Sequence, residues 1–162
     1  MSIKYIKNIS MNPHFYALLM QCFLSGYGKP CEIKFPFVAV PILLYSESRE
    51  RLVNANKKSR IETLFESPKR VEDSQISGKT RFSGYLERYN YLQPHCKKAL
   101  IILASEDKII IEKQRIILIK EIDYRKFSGA IRDWAKCAYY LGIVFAKTTE
   151  EHLNYFLGVD TK

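Results

Sequence analysis

The chain has 162 residues, of which 47% are hydrophobic and 27% are charged; this excludes a disordered protein and predicts one domain over residues 1–162. Its net charge of +9 is compatible with a nucleic acid, a membrane surface or an acidic protein partner. Because the basic residues are spread along the whole chain, a solvated surface is favoured over a dedicated phosphate-binding track.

The cysteines and the apolar runs indicate in which cellular compartment the protein is found. The four cysteines form no C-x-x-C pair, which predicts reduced, buried thiols and no disulfide framework. They are Cys22, Cys31, Cys96 and Cys137. Residues 1–5 show no apolar signal core, and the longest apolar run, residues 35–45, is about half of the ~20 residues that a membrane span needs. We therefore expect a cytoplasmic protein without a membrane partner.

Two apolar helices are predicted in the first third of the chain. Asn12 is a good N-cap and Pro13 suits the first helical position, so a helix begins here, with Gly26 as its stop. Pro36 opens a second helix that is apolar on all sides and should form the centre of the core. Pro41 should kink or divide that helix. A charged amphipathic helix follows over residues 47–55.

The middle of the chain is less regular. Residues 59–62 have the spacing of a capping box and open a short helix. Residues 67–81 are rich in Pro, Gly, Ser and charges, which predicts an exposed loop. A helix begins near Phe82, Pro94 ends or restarts it, and the helical pattern continues to about Ser105.

The last third of the chain predicts a hairpin between helices. Two β-branched runs over residues 108–119 predict the hairpin, although the link lacks the usual Gly or Asn. A long helix follows and stops at Gly142, residues 143–146 form a short strand, and Thr148 and Thr149 precede a terminal helix. The predicted fold class is mainly α (α+β): a helical core with a winged-helix-like unit and one small β-hairpin. Residues 1–66 form its N-terminal helical part and residues 82–162 its winged-helix-like C-terminal part.

The sequence shows no catalytic, cofactor-binding or metal-binding constellation. His14, His95 and His152 are isolated from one another and from cysteines at zinc-finger spacing. The chain contains no G-x-S-x-G, P-loop or G-x-G-x-x-G motif. These observations favour a non-enzymatic protein that needs no cofactor and no metal.

Two groups of side chains are candidates for contacts with partners. The first is a group of basic residues in the middle of the chain, which suit a DNA backbone or an acidic partner, although a solvated loop is favoured over a binding role. They are Lys57, Lys58, Arg60, Lys69, Arg70, Lys79 and Arg81. The second group contains Tyr85, Tyr89 and Trp134, for which core packing is favoured over base stacking. Any of these rings that reaches the surface is a good interface anchor.

Four segments, in this order, resemble one protein family. They are the Asn12-Pro13 helix, the apolar stretch with Pro41 and the charged turn over residues 49–52, the Pro94 helix before the hairpin, and the small-residue helix over residues 134–142. The chain is similar to the middle components of bacterial three-component ABC conflict systems. That group includes the small subunit of Lamassu-type anti-phage and anti-plasmid defence complexes.

The resemblance implies an adaptor subunit. It would bridge an SMC- or Rad50-like ABC ATPase and a nuclease-like effector, and DNA would act on it indirectly, through the complex. Two other readings of the residues stay open: a free-standing winged-helix DNA-binding regulator, and a small enzyme whose site the sequence does not reveal.

Overall fold

The computed structural model describes residues 12–61, 64, 69–71, 74–76, 85–149 and 151–152. Its helices are α1 (Pro13–Tyr27), α2 (Lys34–Leu44), α3 (Ser46–Leu52), α4 (Tyr85–Ser105) and α5 (Gly129–Ala146), with a 3₁₀ turn at Tyr124–Lys126. Its strands are β1 (Cys31–Glu32), β2 (Lys69–Val71), β3 (Ser74–Ile76), β4 (Ile109–Glu112) and β5 (Arg115–Leu118). The fold is mainly helical with small antiparallel sheets, which confirms the predicted α+β class.

Helix α1 begins as predicted and ends slightly later. The Asn12 side chain accepts a hydrogen bond from the backbone N–H of His14 at 2.9 Å, and Pro13 is the first helical residue. The prediction that Gly26 stops the helix is wrong. Gly28 ends it instead, with φ of 75°, and its N–H donates to the carbonyl of Leu24 at 3.1 Å.

Two glycines serve the contact between α1 and α5 rather than helix ends. A Cβ on Gly26 would overlap the carbonyl oxygen of Tyr139, and a Cβ on Gly142 would overlap that of Phe23. The predicted stop at Gly142 and the predicted strand over residues 143–146 are therefore wrong, because α5 continues to Ala146. Glycine here allows the two backbones to approach closely.

Besides Pro13 at the start of α1, three prolines of the described residues lie within helices. Helix α2 begins at Lys34, so Pro36 falls in the first turn, where no N–H is needed. Pro41 does not divide α2, which continues through it to Leu44. Pro94 neither ends nor restarts α4: buried Leu92 and Cys96 hold the helix to the core on both sides of it. Packing thus outweighs the cost of the missing hydrogen bond.

The predicted hairpin over residues 108–119 is confirmed. Strands β4 and β5 pair from Ile109 with Leu118 to Glu112 with Arg115. Lys113 and Gln114 form the two-residue turn with φ of 51° and 64°, the left-handed values of a type I′ turn, without glycine. Strand β1 adds a third strand on the β5 side, which the sequence did not reveal.

A second hairpin lies where an exposed loop was predicted. Strands β2 and β3 pair antiparallel within residues 67–81, so the described part of the chain holds two hairpins where one was predicted. The short helix expected after residue 59 is described only at Ile61 and Leu64, both buried. At the other end of the chain, Thr149 Oγ1 accepts from the N–H of His152 at 3.2 Å, as expected of a helix N-cap.

One buried apolar cluster joins both halves of the described chain. Helix α1 packs against α4, α5 and α2, and α2 is buried along most of its length. The winged-helix likeness of residues 82–162 stays a prediction. Helices α4 and α5 of this part each pack mainly against α1, which lies in the N-terminal part. All four cysteines are free and buried, as predicted. No helix in the described ranges is long and apolar enough to cross a bilayer.

Candidate functional site

A cleft between α3 and α5 holds the tryptophan that the sequence singled out. The guanidinium of Arg49 lies 3.8 Å from the ring centroid of Trp134, and its Nη1 donates to the carbonyl of Leu43 at 3.1 Å. Phe15 contacts the same indole edge-on at 5.4 Å. Burial lowers the pKa of Arg49, which stays charged at neutral pH. Trp134 therefore packs against the core and also forms a wall of this cleft, called the Arg49 cleft below.

The Arg49 cleft has a volume of about 440 Å³ and mixed walls. Val53 is 53% exposed there, beside Glu50, Asp133 and Lys136. An exposed aliphatic side chain surrounded by charges of both signs is typical of a protein-binding surface rather than of an enclosed ligand site.

A second cleft brings three tyrosines together. It has a volume of about 470 Å³ and is called the tyrosine cleft below. Tyr139 and Tyr140 of α5 contact each other edge-on at 5.3 Å, and Tyr124 of the 3₁₀ turn lies 5.5 Å and 6.0 Å from them. The hydroxyls of Tyr124 and Tyr140 are 3.5 Å apart, and this hydrogen bond raises the pKa of Tyr140. The remaining lining residues are Ser25, Lys57 and residues 121–126.

Polar side chains of α1 fix the wall that carries Tyr124. Gln21 is buried, and its Nε2 donates to the carbonyl of Lys120 at 2.9 Å. Ser25 Oγ accepts from the N–H of Ile122 at 3.0 Å and donates to the carbonyl of Gln21 at 2.8 Å. These bonds tie residues 120–122 to a core helix, so the turn that follows them is positioned by the core.

An acidic side chain then shapes the turn itself. Asp123 Oδ1 accepts from the N–H of Arg125 at 2.9 Å, and the Arg125 guanidinium contacts both carboxylate oxygens of Asp123. These hydrogen bonds hold the pKa of Asp123 below its usual range and raise that of Arg125. Both groups remain charged at neutral pH.

One member of the predicted basic group lines this cleft. Lys57 lines the cleft, and exposed Lys58 and Arg60 lie in the same connection. The amino group of Lys147 donates to the carbonyls of Lys57 and Ser59, which brings a further cation beside them.

Arg125, Lys126 and Lys147 were missed in the sequence. The signal for them was the run Tyr124-Arg125-Lys126 together with Tyr139-Tyr140, a basic pair and an aromatic pair that the topology brings to one cleft. Residues 127–138 separate the two pairs along the chain, so the distance between them in the fold could not be read from spacing.

The remaining predicted residues are not gathered into either cleft. Tyr89 is half-buried against the core, and Tyr85 begins α4 with a side chain outside the described set. Lys69 and Arg70 lie on β2, where only the backbone is described, and Lys79 and Arg81 lie outside the described residues.

The outer face of the main hairpin carries exposed isoleucines beside the charged pair Glu112 and Arg115. Ile110 pairs with Ile117, and these two face away from buried Ile109 and Ile116, because neighbouring residues on a strand point to opposite sides. Ile110 is 52% exposed and Ile119, which follows β5, is 49% exposed. These isoleucines are candidates for contact with a partner.

Groups that could perform metal or thiol chemistry are sparse in the described ranges. There, no cluster of three or more His, Cys, Asp and Glu side chains could hold a metal ion. Burial raises the pKa of the thiols to about 12 for Cys22, Cys31 and Cys96, and to about 11 for Cys137. These thiols are protonated at neutral pH and are poor nucleophiles.

Comparison with known families completes this description. The family model for ABC-three component (ABC-3C) system Middle Component 3 matches residues 2–161. The chain belongs to this family, which confirms the resemblance to the middle components of three-component ABC systems. No curated protein and no solved structure matches the chain.

Proposed function

We propose that the chain is a non-catalytic adaptor that bridges an SMC- or Rad50-like ABC ATPase and a nuclease-like effector. The complex would be a cytoplasmic, Lamassu-type bacterial defence against phages or plasmids. The observation that carries the proposal is the family match over residues 2–161, which makes almost the whole chain the middle component of a three-component ABC system.

A bridging subunit needs two separate binding surfaces, and two surfaces of different character support the proposal. The hairpin face around Ile110 and Ile117, which is charged at its Glu112 and Arg115 end, suits an interface with an apolar centre and a polar rim. The Arg49 cleft, with Val53 between charged residues, suits a smaller and more specific contact. The two surfaces lie on different elements, so one partner need not displace the other.

The adaptor would work by coupling rather than by chemistry. DNA sensed by the ATPase would change the geometry of the ATPase heads. The adaptor would pass that change to the effector, or hold the effector inactive until it occurs. This requires an interface with two arrangements whose balance the ATPase shifts.

A pull-down tests the proposal. The tagged chain is co-expressed with the ABC ATPase and the effector of its own system, and we expect it to retain both. Ile110→Lys combined with Ile117→Lys should release one partner, and Val53→Glu should release the other. Ile101→Lys is the matched control, since Ile101 is 67% exposed on α4, outside both surfaces. Retention of neither partner by the unaltered chain would contradict the proposal.

A further inference from the structure

We propose that the tyrosine cleft binds a single strand of nucleic acid directly, with bases against its tyrosine rings and phosphates against Lys57 and Lys126. In the function proposed above, DNA acts through the ATPase. The present inference places a strand on the adaptor itself, and it stands or falls independently of which proteins the adaptor joins.

The three tyrosine rings of the cleft favour a nucleic acid strand whose bases are unpaired. Tyr124, Tyr139 and Tyr140 are each half-buried, so each ring is held by the protein and keeps part of its surface open. They form one group, with centroids 5.3–6.0 Å apart. Bases stack on such fixed rings without regard to sequence, and a base must leave its duplex to do so.

The basic side supports a phosphate backbone. Lys57 and Lys126 are exposed on the cleft walls, and neither forms an ion pair with a described carboxylate. Arg125 is paired with Asp123, so that pair adds no net charge. Glu121 also lines the cleft, but it is exposed to water, where salt screens its repulsion of a phosphate. Lys147 beside Lys57 adds a further positive charge.

Size and rigidity agree with this ligand. A volume of about 470 Å³ lies within the range of roughly 300–1,000 Å³ that is usual for small-ligand sites, which suits one nucleotide of a longer strand. The hydrogen bonds from Gln21 and Ser25 hold the Tyr124 wall before any ligand arrives. Little ordering is therefore needed on binding.

Fluorescence anisotropy with a labelled oligothymidylate tests the inference on the full chain. We expect the single strand to bind more tightly than a duplex of equal length. Lys57→Ala combined with Lys126→Ala should weaken binding about tenfold and reduce the slope of log affinity against log salt by about 1.4, since each lost single-strand phosphate contact removes about 0.7. The matched control, Lys97→Ala with Lys98→Ala, removes the same charge from exposed positions on α4 and should weaken binding less than about twofold.

Two variants of Tyr124 separate the contribution of stacking from that of charge. Tyr124→Leu should weaken binding about fivefold, whereas Tyr124→Phe, which keeps the ring, should retain it. Thermal melting by circular dichroism confirms folding, and the exposed lysine variants test the inference even if Tyr124→Leu unfolds. Equal weakening by both lysine pairs, preference for the duplex, or equal competition by free thymidine triphosphate would each overturn the inference.

Discussion

Replacing Gly142 by alanine should destabilise the protein, although alanine is the better helix former. The added Cβ would overlap the carbonyl oxygen of Phe23 and would lie 2.8 Å from the backbone nitrogen of Tyr27. Helix propensity favours alanine by about 1 kcal/mol. Overpacking costs about 1–3 kcal/mol or more, and the upper end applies because the obstacle is helix backbone, which cannot rotate away. We expect the free energy of unfolding to fall by about 2 kcal/mol.

Urea denaturation followed by circular dichroism measures this change. For a chain of this length, about 2 kcal/mol corresponds to a fall in Tm of roughly 4–8 °C. Gly129→Ala is the matched control on the same helix: nothing lies within 4 Å of its Cβ, and only the cost of a left-handed residue, φ of 63°, should appear, about 1 kcal/mol.

The equivalent change on α1 allows a double-mutant cycle. Gly26→Ala pushes α1 and α5 apart at the carbonyl of Tyr139, so the double variant should lose less stability than the two single losses added together. If Gly142→Ala were as stable as the unaltered chain, α1 and α5 could not approach as closely as described.

Three further predictions concern side chains. Arg49→Ala removes the stack on Trp134 and the hydrogen bond to the carbonyl of Leu43, and should lower the free energy of unfolding by about 2 kcal/mol in urea denaturation. Arg88→Ala in the same assay tests the analogous stack on Tyr45. The four thiols should resist a thiol reagent at pH 8 until the protein is unfolded, and early labelling would contradict their burial. Alkali should destabilise the fold, because burial raises the pKa of Cys22 from 9.0 to about 12. The contribution of the protonated thiol to the free energy of unfolding is complete below pH 9 and is lost as the pH rises toward 12. Thermal melting at stepped pH would show this loss.

Local signals in the sequence predicted much of the fold. Asn12 and Pro13 fix a helix start by hydrogen bonding and ring geometry that depend on adjacent residues alone. The two β-branched runs over residues 108–119 predicted the hairpin, because isoleucine favours a strand wherever one face can be buried. Features of this kind need no knowledge of distant residues.

The predictions that were wrong concern features that depend on residues far away in the sequence. Gly142 resembled a helix stop, but its role depends on the carbonyl of Phe23 far away in the chain. Pro94 resembled a helix end, but buried neighbours on both sides keep α4 continuous. Strand β1 is two residues long, too short for any periodicity, and exists because β5 offers it an edge.

The candidate sites also combine features that are local in the sequence with features that only the fold brings together. Lys57 could be named from composition, whereas its neighbours Lys126 and Tyr139 come from separate elements that meet only in the folded chain. Trp134 could be named from the sequence as a large aromatic residue, but its stack with Arg49 joins α3 to α5 and has no local signature.

Native mass spectrometry of the co-expressed three-component system tests the central claim most directly. An adaptor that bridges two proteins predicts a species containing ATPase, effector and this chain. Omitting this chain should leave the ATPase and the effector as separate species. If these two proteins formed the same complex in its absence, the chain would not be the bridge between them.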